Sequence, residues 1–478
     1  MAVQPSPDKQ REIELLTSGE EHYGKIVWKL AWPAVALNLL QTANSMLGVF
    51  FVGTLNRASL TAYGQTASIQ FLLFSLGMSF SIAATAIVSR AYGARDEEGF
   101  KNANRRVLGF TLAFGFIVWV ASFAIIPAFV SILAPHGDQE VANLMHQYVT
   151  IFAISLPAIY LIQALAGSLR GIGDTISPMV LSGGQILLNI ALNYLLIFPT
   201  RRVEFAGNEF TMWGAGMGLA GAAWAITVSA LVAVLAYLAW STRTPLGNVW
   251  KIRLPDAEWT RRLGRLAAPA AGMSIVRVLS FTILGVVIAN LAGEQADLAG
   301  AAIRTGFTIE ALAFMPAFGF QVAASALVGQ SLGMEKPGRA ERLGWLSGHY
   351  AAVVGGIIGF ALVFTAFPIA HAFLPEQPEV ADIAAWYIII VCATEILFSY
   401  SMVLSGALQG AGDVNATFVM AVVCLWGIRV PLAAVLALPQ FFNLGAIGVW
   451  IAMSASQSVN GLYAMWLWKK GRWKFKKV

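Results

Sequence analysis

Charge is scarce in this sequence. Only 12% of its 478 residues are Asp, Glu, Lys or Arg, while 58% are hydrophobic, against roughly 25% charged in a soluble domain. No soluble core of this length could bury so much apolar surface, whereas a bilayer can. Cysteine is nearly absent: Cys392 and Cys424 are the only two. Both fall inside apolar stretches, which argues for small buried thiols and against disulfide, metal or redox roles. Also missing are a glycine loop ending in G-K-[ST], a metal-ligand spacing and a nucleophile–base constellation. Those absences argue against an enzyme, and against ATP-driven transport by this chain, leaving an ion gradient as the source of work. The first 25 residues are polar, with Asp8, Lys9, Arg11, Glu12, Glu14, Glu20 and Glu21. They do not fit a cleavable signal peptide and are expected to form a cytosolic lead-in.

What is abundant is long apolar sequence. A spanning helix needs about 20 mostly apolar residues, and lipid tolerates only helices or closed barrels. The runs here are continuous rather than alternating with period two, which favours helices. Spans are predicted at 26–52, 62–89, 107–134, 146–169, 177–199, 213–242, 263–291, 299–329, 345–374, 384–409, 416–438 and 443–468. Helix-ending chemistry stands at the junctions, as in Ala134-Pro-His-Gly-Asp, Phe198-Pro-Thr and Leu374-Pro-Glu-Gln-Pro. The fold class is therefore an all-α integral membrane protein of about twelve transmembrane helices.

The net charge of +6 does not signal nucleic acid, because the bases crowd into alternate connections. One set is Arg90, Arg95, Lys101, Arg105 and Arg106; the next is Arg243, Lys251, Arg253, Arg261, Arg262 and Arg265. Lys336, Arg339 and Arg342 follow, then Lys469, Lys470, Arg472, Lys474, Lys476 and Lys477. The intervening loops carry acids, as in Asp138/Glu140, Glu294/Asp297 and Glu376/Glu379/Asp382. This positive-inside pattern predicts that both termini lie in the cytoplasm, which makes the number of spans even.

The chain repeats itself. AGSLRGIGDT (166–175) recurs as SGALQGAGDV (405–414), and AATAIVSRAYGA (83–94) as AASALVGQSLGM (323–334). Pro33 matches Pro269, LGV at 47–49 matches LGV at 284–286, and GLAGAAWAI (218–226) matches GAIGVWIAM (445–453). Two copies of a six-span unit share one orientation about an axis along the membrane normal, an architecture of transporters with the substrate path between halves. The expected organisation is a lead-in over 1–25, an N-lobe over 26–242, a cytoplasmic connection over 243–262, a C-lobe over 263–468 and a basic tail over 469–478.

The doubled G-x-L-x-G-x-G-D signature, LVGQSLG with its basic RAER sequel, the first-span proline of each half and EALAFMPAFGF together resemble the MATE (multidrug and toxic compound extrusion) family. The resemblance covers nearly the whole chain from Lys25 onward. It implies a V-shaped pair of six-helix bundles that exports organic, often cationic, compounds in exchange for protons or sodium ions.

An ionisable group at mid-bilayer costs at least about 2.5–3.5 kcal/mol by insertion scales, so buried charge is informative. Of the acids only Glu310 and Glu395 lie well inside spans. Arg277 and Arg429 lie as deep, and Arg304 lies near a helix end. The four deep charges are all in the second half. At the repeat-related positions stand Gln70 for Glu310, Gln41 or its neighbour for Arg277, Leu156 for Glu395 and Ile190 for Arg429. The first half is polar but uncharged, with Asn38, Gln41 and Ser45 at helical spacing on its first span. Gln185, Asn189 and Asn193 repeat the pattern on its fifth.

Departures from the family pattern limit what the resemblance carries over. Many relatives have an aspartate just before the FVG that stands here as Phe51-Val52-Gly53, where this chain has Gly48. Those of the DinF branch have another where Asn193 stands. NorM-type relatives have a seventh-span glutamate where this chain has Arg277, and a tenth-span acid about one turn beyond Glu395. Coupling through an N-lobe aspartate or a seventh-span glutamate is therefore not expected.

Glu395 and Glu310 are the expected ion-coupling acids, with Arg277 and Arg429 as counter-charges and a monovalent cation as an expected ligand of Glu395/Glu310. The expected cavity residues are Asn38, Gln41, Gln70, Gln185, Asn189, Asn193, Ser399 and Met402, the last two at i+4 and i+7 from Glu395. Each has a plainer alternative. Glu395 would neutralise Arg429, Glu310 would pair statically with Arg277, the arginines would be fixed counter-charges, and the amide stripes would be interhelical glue. Pro33, Pro157, Pro269, Pro316 and Pro431 are expected to kink helices, and Asp174 and Asp413 to cap the helices that follow them. No cofactor is expected beyond a coupling proton or sodium ion. The expected partners are small organic molecules and membrane lipids, without nucleic acid, for a monomer. The leading function is a secondary antiporter working by alternating access. The rivals are a lipid-linked precursor flippase of the same superfamily, which would want a strongly basic lumen, and a non-transporting membrane enzyme or receptor.

Overall fold

A computed structural model of the chain describes residues 22–134, 138–205, 208–247, 251–293 and 295–476. The lead-in up to residue 21, the Pro-His-Gly sequence at 135–137 and Glu294 lie outside them. Every expected span is a helix or a helix broken along its length. The first three are α1 (Tyr23–Gly53), α2 (Arg57–Gly93) and α3 (Glu97–Leu133). Their termini follow side-chain chemistry: Asn56 caps α2 through Ser59 N–H, and Asp96 caps α3 through Gly99 N–H. The fourth span bends by 47° between α4 (Gln139–Ile154) and α5 (Leu156–Gly171), and α6 (Ile176–Ile197) and α7 (Leu219–Ser241) complete the first half.

The second half runs α8 (Ala257–Ala289), α9 (Gln295–Gly333), α10 (Pro337–Phe364) with its short sequel α11 (Ala366–Phe373), then α12 (Pro378–Cys392) and α13 (Glu395–Gly410) bent by 57°. The eleventh span is α14 (Val414–Val422), a π-helical segment Val423–Arg429 and α15 (Val430–Ala437). The twelfth is α16 (Gly445–Lys470), and a 3₁₀ turn over Arg472–Phe475 closes the tail. Among the described residues nine helices are long and apolar enough to cross a bilayer, or eleven if each bent pair is one span. The remaining span is α16, whose Ser454, Ser456, Gln457, Ser458 and Asn460 make it more polar.

One element was not expected. Residues Pro199–Phe205 (β1) and Asn208–Ala215 (β2) pair antiparallel, with Pro199 opposite Ala215 and Phe205 opposite Asn208. The sixth span therefore starts at Leu219, later than the expected 213. The reason is local: Pro199 ends α6, and Gly216 and Gly218 have φ of +64° and +56°, a conformation that glycine adopts without a Cβ penalty. Thr200 Oγ1 also accepts from Gly214 N–H (3.1 Å) and donates to Gly214 O (3.2 Å).

Packing divides the chain into two units: Ala36–Ile275, and Val276–Val478 together with the chain up to Val35. Both bounds fall inside helices, in α1 and α8, close to Pro33 and Pro269, where interior prolines interrupt the hydrogen-bond ladder. These bounds differ from those of the expected lobes: the start of α1 up to Val35 packs with the second unit, and the start of α8 up to Ile275 with the first. In the second unit one apolar core gathers Ile26, Val27, Leu30 and Ala31 of α1 with Phe320, Leu327, Leu343, Leu408 and Trp468. Another gathers Leu284, Ile309, Ala384, Tyr387, Val449 and Trp450.

The duplicated signature has a packing role in each unit. A Cβ on Gly167 would run into Ser81, and one on Gly171 would press on Val88 and Ser89 of α2; a Cβ on Gly406 would run into Gln321, and one on Gly410 into Ser325 of α9. Small residues one turn apart let two spanning helices approach to backbone contact, and the same approach occurs at repeat-related positions in both halves. Thr85 Oγ1 adds a hydrogen bond to Gly167 O (2.9 Å). The turns that follow also repeat, with Gly173 and Gly412 at φ of +90° and +86°.

Candidate functional site

The broken spans position the deepest charge. At both breaks a hydroxyl donates back to the carbonyl three residues earlier: Ser155 to Phe152 O (2.6 Å) and Thr394 to Val391 O (2.9 Å). Such local bonds compete with the helical ladder and tighten the last turn before the bend. Immediately after each break the new helix begins with a buried side chain, Leu156 in the first half and Glu395 in the second. Glu395 therefore sits at the N-terminal end of α13, where unpaired N–H groups favour negative charge.

Glu395 is 1% exposed, and neither of its carboxylate oxygens has a hydrogen-bond partner. Ser399 Oγ, one turn along α13, is buried and unpartnered as well. Room for both comes from α10, where a Cβ on Gly355 would strike Ser399 Oγ (2.5 Å) and one on Gly359 would crowd Glu395 Cβ (3.0 Å). Met402 is buried on the same helix.

Glu310 is 2% exposed on α9 and, unlike Glu395, is held. Tyr387 of α12 donates its hydroxyl to Glu310 Oε2 (2.5 Å), and Gln457 of α16 donates Nε2 to Oε1 (3.4 Å). The tyrosine fits because Gly306 lies beneath its ring. Thr394, at the break, lies 3.3 Å from Gln457 Oε1, so a polar chain runs from the break to Glu310. Arg429 closes the π segment; its Nε donates to Ser456 Oγ (2.8 Å), its guanidinium lies 5.8 Å from the Phe281 ring, and its charge acts on Glu310. Arg277 is half-buried on α8, where its charge acts on Arg429. The two glutamates also act electrostatically on each other, with Cys392 beside both.

The static pairs Glu310–Arg277 and Glu395–Arg429, the plainer alternatives, do not form as ion pairs. Glu310 and Arg429 are instead satisfied by neutral groups, and Glu395 is left without a partner. Sequence reasoning missed Tyr387, Gln457, Ser456 and Thr394. The run of polar residues in the last span is a visible signal for Gln457 and Ser456; Tyr387 and Thr394 have none, since single uncharged hydroxyls do not stand out as carboxylates do.

In the first unit Asn193 Nδ2 donates to Asn189 Oδ1 (3.0 Å), both buried, and Gln70 Oε1 accepts from Tyr148 (3.2 Å). Gln185 and Asn38 are half-buried and Gln41 is exposed. Tyr63 has its hydroxyl 2.8 Å from where a Cβ on Gly48 would stand, and its ring packs edge-on against Tyr148. Asp174 accepts from Ser177 N–H (2.9 Å) and Oγ (2.6 Å) and caps as expected. Asp413 makes no such cap bond and pairs with Lys476 (3.2 Å). Both cysteines are free and buried.

The MatE family model matches the chain twice, over residues 33–195 and 269–435, each match starting at one of the two paired prolines. The chain belongs to the MATE family. Among similar curated proteins, the probable multidrug resistance protein NorM of Thermotoga maritima is 26% identical over 94% of this chain and 93% of its own length. The probable multidrug resistance protein YoeA of Bacillus subtilis is 27% identical over 92% of each chain. Among solved structures, a MOP-superfamily transporter from Pyrococcus furiosus superposes with a TM-score of 0.86 over 97% of this chain and 99% of that one, at 19% identity. A Vibrio cholerae MATE transporter, VcmN, gives a TM-score of 0.85 over 95% and 99%, also at 19%. The structural likenesses show the MATE fold, and the family match with the multidrug resistance names of the relatives makes this a multi-pass membrane protein of a transporter family.

Proposed function

We propose that this MATE protein is an ion-coupled antiporter that exports organic, cationic or amphipathic compounds across the bacterial inner membrane, with both termini in the cytoplasm. The names of its relatives as multidrug resistance proteins support the substrate class. One observation carries the coupling: Glu395 is buried with neither carboxylate oxygen partnered, beside a Glu310 that is fully held. A bare carboxylate in that setting is costly, and a proton or a cation removes the cost. Glu395, Ser399 and Glu310 offer hard oxygen donors of the kind small cations take.

Coupling then needs only differential affinity. The ion-loaded carboxylate favours one arrangement of the transporter and the substrate-loaded one favours the other. Glu310, fixed by Tyr387 and Gln457, is a second carboxyl that acts electrostatically on Glu395, and a negative neighbour strengthens the hold of a carboxylate on a positive ion. In vesicles containing the purified protein, an imposed proton or sodium gradient is expected to drive efflux of a preloaded cationic dye. Equal dye retention with and without either gradient would contradict the reading.

A further inference from the structure

The hairpin β1–β2 lengthens a connection that is short in the second half, where it runs from Ala437 to Gly445. Its Arg201 lays a guanidinium over two rings, 4.1 Å from the centroid of Tyr194 and 4.1 Å from that of Phe198. Phe51, near the end of α1, completes a box. The three rings meet edge to face, with centroids 5.9, 6.2 and 6.4 Å apart. At the repeat-related positions the second half has Ile288, Ala433 and Ala437, which share one apolar core. The fold thus needs apolar side chains at these three places, but it does not need rings. Arg201 is positioned by the hairpin: Thr200 beside it is bonded both ways to Gly214, and Met212 stands opposite Arg201 in the register. Phe51, Tyr194, Phe198 and Arg201 are all half-buried, so each keeps surface that a solute can reach.

We propose that the box of Phe51, Tyr194 and Phe198 binds a planar, delocalised organic cation, and that Arg201 is its built-in competitor. Aromatic faces are negative and attract cations. A guanidinium is planar, delocalised and weakly hydrated, so the group already on the rings shows the shape and charge they accept. A cation from solution displaces Arg201, and the tethered guanidinium, returning, expels it again. Such a box binds and releases rather than retains. Phe51 and Phe198 end the first and fifth spans, which places the box at the external face in the orientation proposed above, where an exported compound leaves. The inference rests on the reading of the protein as an exporter of organic cations and adds a place where one is held. The plainer role for Arg201 is to fasten the hairpin, and the test separates the two.

That test is equilibrium binding of ethidium to the purified full chain in detergent, read by fluorescence anisotropy with no ion gradient. Arg201→Gln should tighten ethidium binding about fivefold, the worth of one partly exposed cation–π contact. Arg201→Lys keeps the charge but loses the planar stack and should give a smaller gain, about twofold, so the outcome does not depend on one variant folding. Adding Phe198→Leu to either variant should cancel the gain, whereas adding Tyr194→Phe, which keeps the ring, should preserve it. Affinity unchanged or weakened in both Arg201 variants would overturn the proposal and leave the export reading standing. A gain that survives Phe198→Leu would do the same. No ethidium binding by the wild type or any variant would overturn both. With no gradient imposed, failure of coupling through Glu395 does not enter the result.

Discussion

At the scale of single residues, the two halves have taken different routes with the same backbone. Leu156 and Glu395 are the first residues of repeat-related half-helices, so one substitution separates a packed apolar position from a carboxylate. The amides of the first unit are held by neutral partners, Asn189 by Asn193 and Gln70 by the Tyr148 hydroxyl, and an amide does not titrate. Asn193→Ala and Asn38→Ala are therefore expected to alter which compounds are exported while leaving dependence on protons or sodium in place. Comparing efflux of several dyes at two pH values and two sodium concentrations checks this, and loss of ion dependence in either variant would move coupling into the first unit. The four deep charges could be found in the sequence because charge in an apolar run is conspicuous. Their partners were not legible, since Tyr387 and Gln457 are 77 and 147 residues from Glu310, a separation that only the fold closes.

At the scale of elements, helix existence was plain from apolar runs, while breaks and caps depended on local chemistry. The hairpin over Pro199–Ala215 escaped because the apolar residues at the end of its second strand continue into the next span, and the glycines at 214, 216 and 218 mark where strand gives way to helix. Gly410 illustrates how tightly two elements can be joined: a Cβ there collides with the Ser325 backbone. Gly410→Leu should destabilise the protein by at least the 1–3 kcal/mol typical of overpacking, measured as a lower thermal midpoint in detergent, whereas a substitution at Gly338, with open space around it, should not. Asp256, just before α8, accepts from Trp259 N–H (3.0 Å) and Arg106 Nη1 (2.5 Å). Those bonds, the backbone one first, hold its carboxyl below the usual range. The stabilisation is present above the ordinary aspartate pKa and is lost as pH falls through the depressed one. Asp256→Asn should thus be less stable than wild type at neutral pH, with the two converging in strong acid; a gap that persists there would refute the assignment.

At the scale of the whole molecule, duplication was the most legible feature, because it imposes the same motifs in the same order twice. The double family match and the paired glycine contacts repeat that order. The placement of unit bounds inside α1 and α8 was not readable, since hydropathy marks where a helix lies and not which neighbours it packs against. Orientation rests on the alternation of basic and acidic loops. Cysteines introduced near residues 98, 255 and 338 should react only with a cytoplasmic reagent, and those near 138, 296 and 379 only with an external one. One inverted site would break the twelve-span arrangement. The central claim is that Glu395 carries the coupling ion. Its most direct test is dye efflux from vesicles under an imposed proton or sodium gradient, wild type against Glu395→Gln, a change that keeps the shape of the side chain and mimics its protonated form. The variant should fold, insert and still bind the dye, yet lose gradient-driven efflux. Efflux at the wild-type rate with unchanged pH and sodium dependence would contradict the claim.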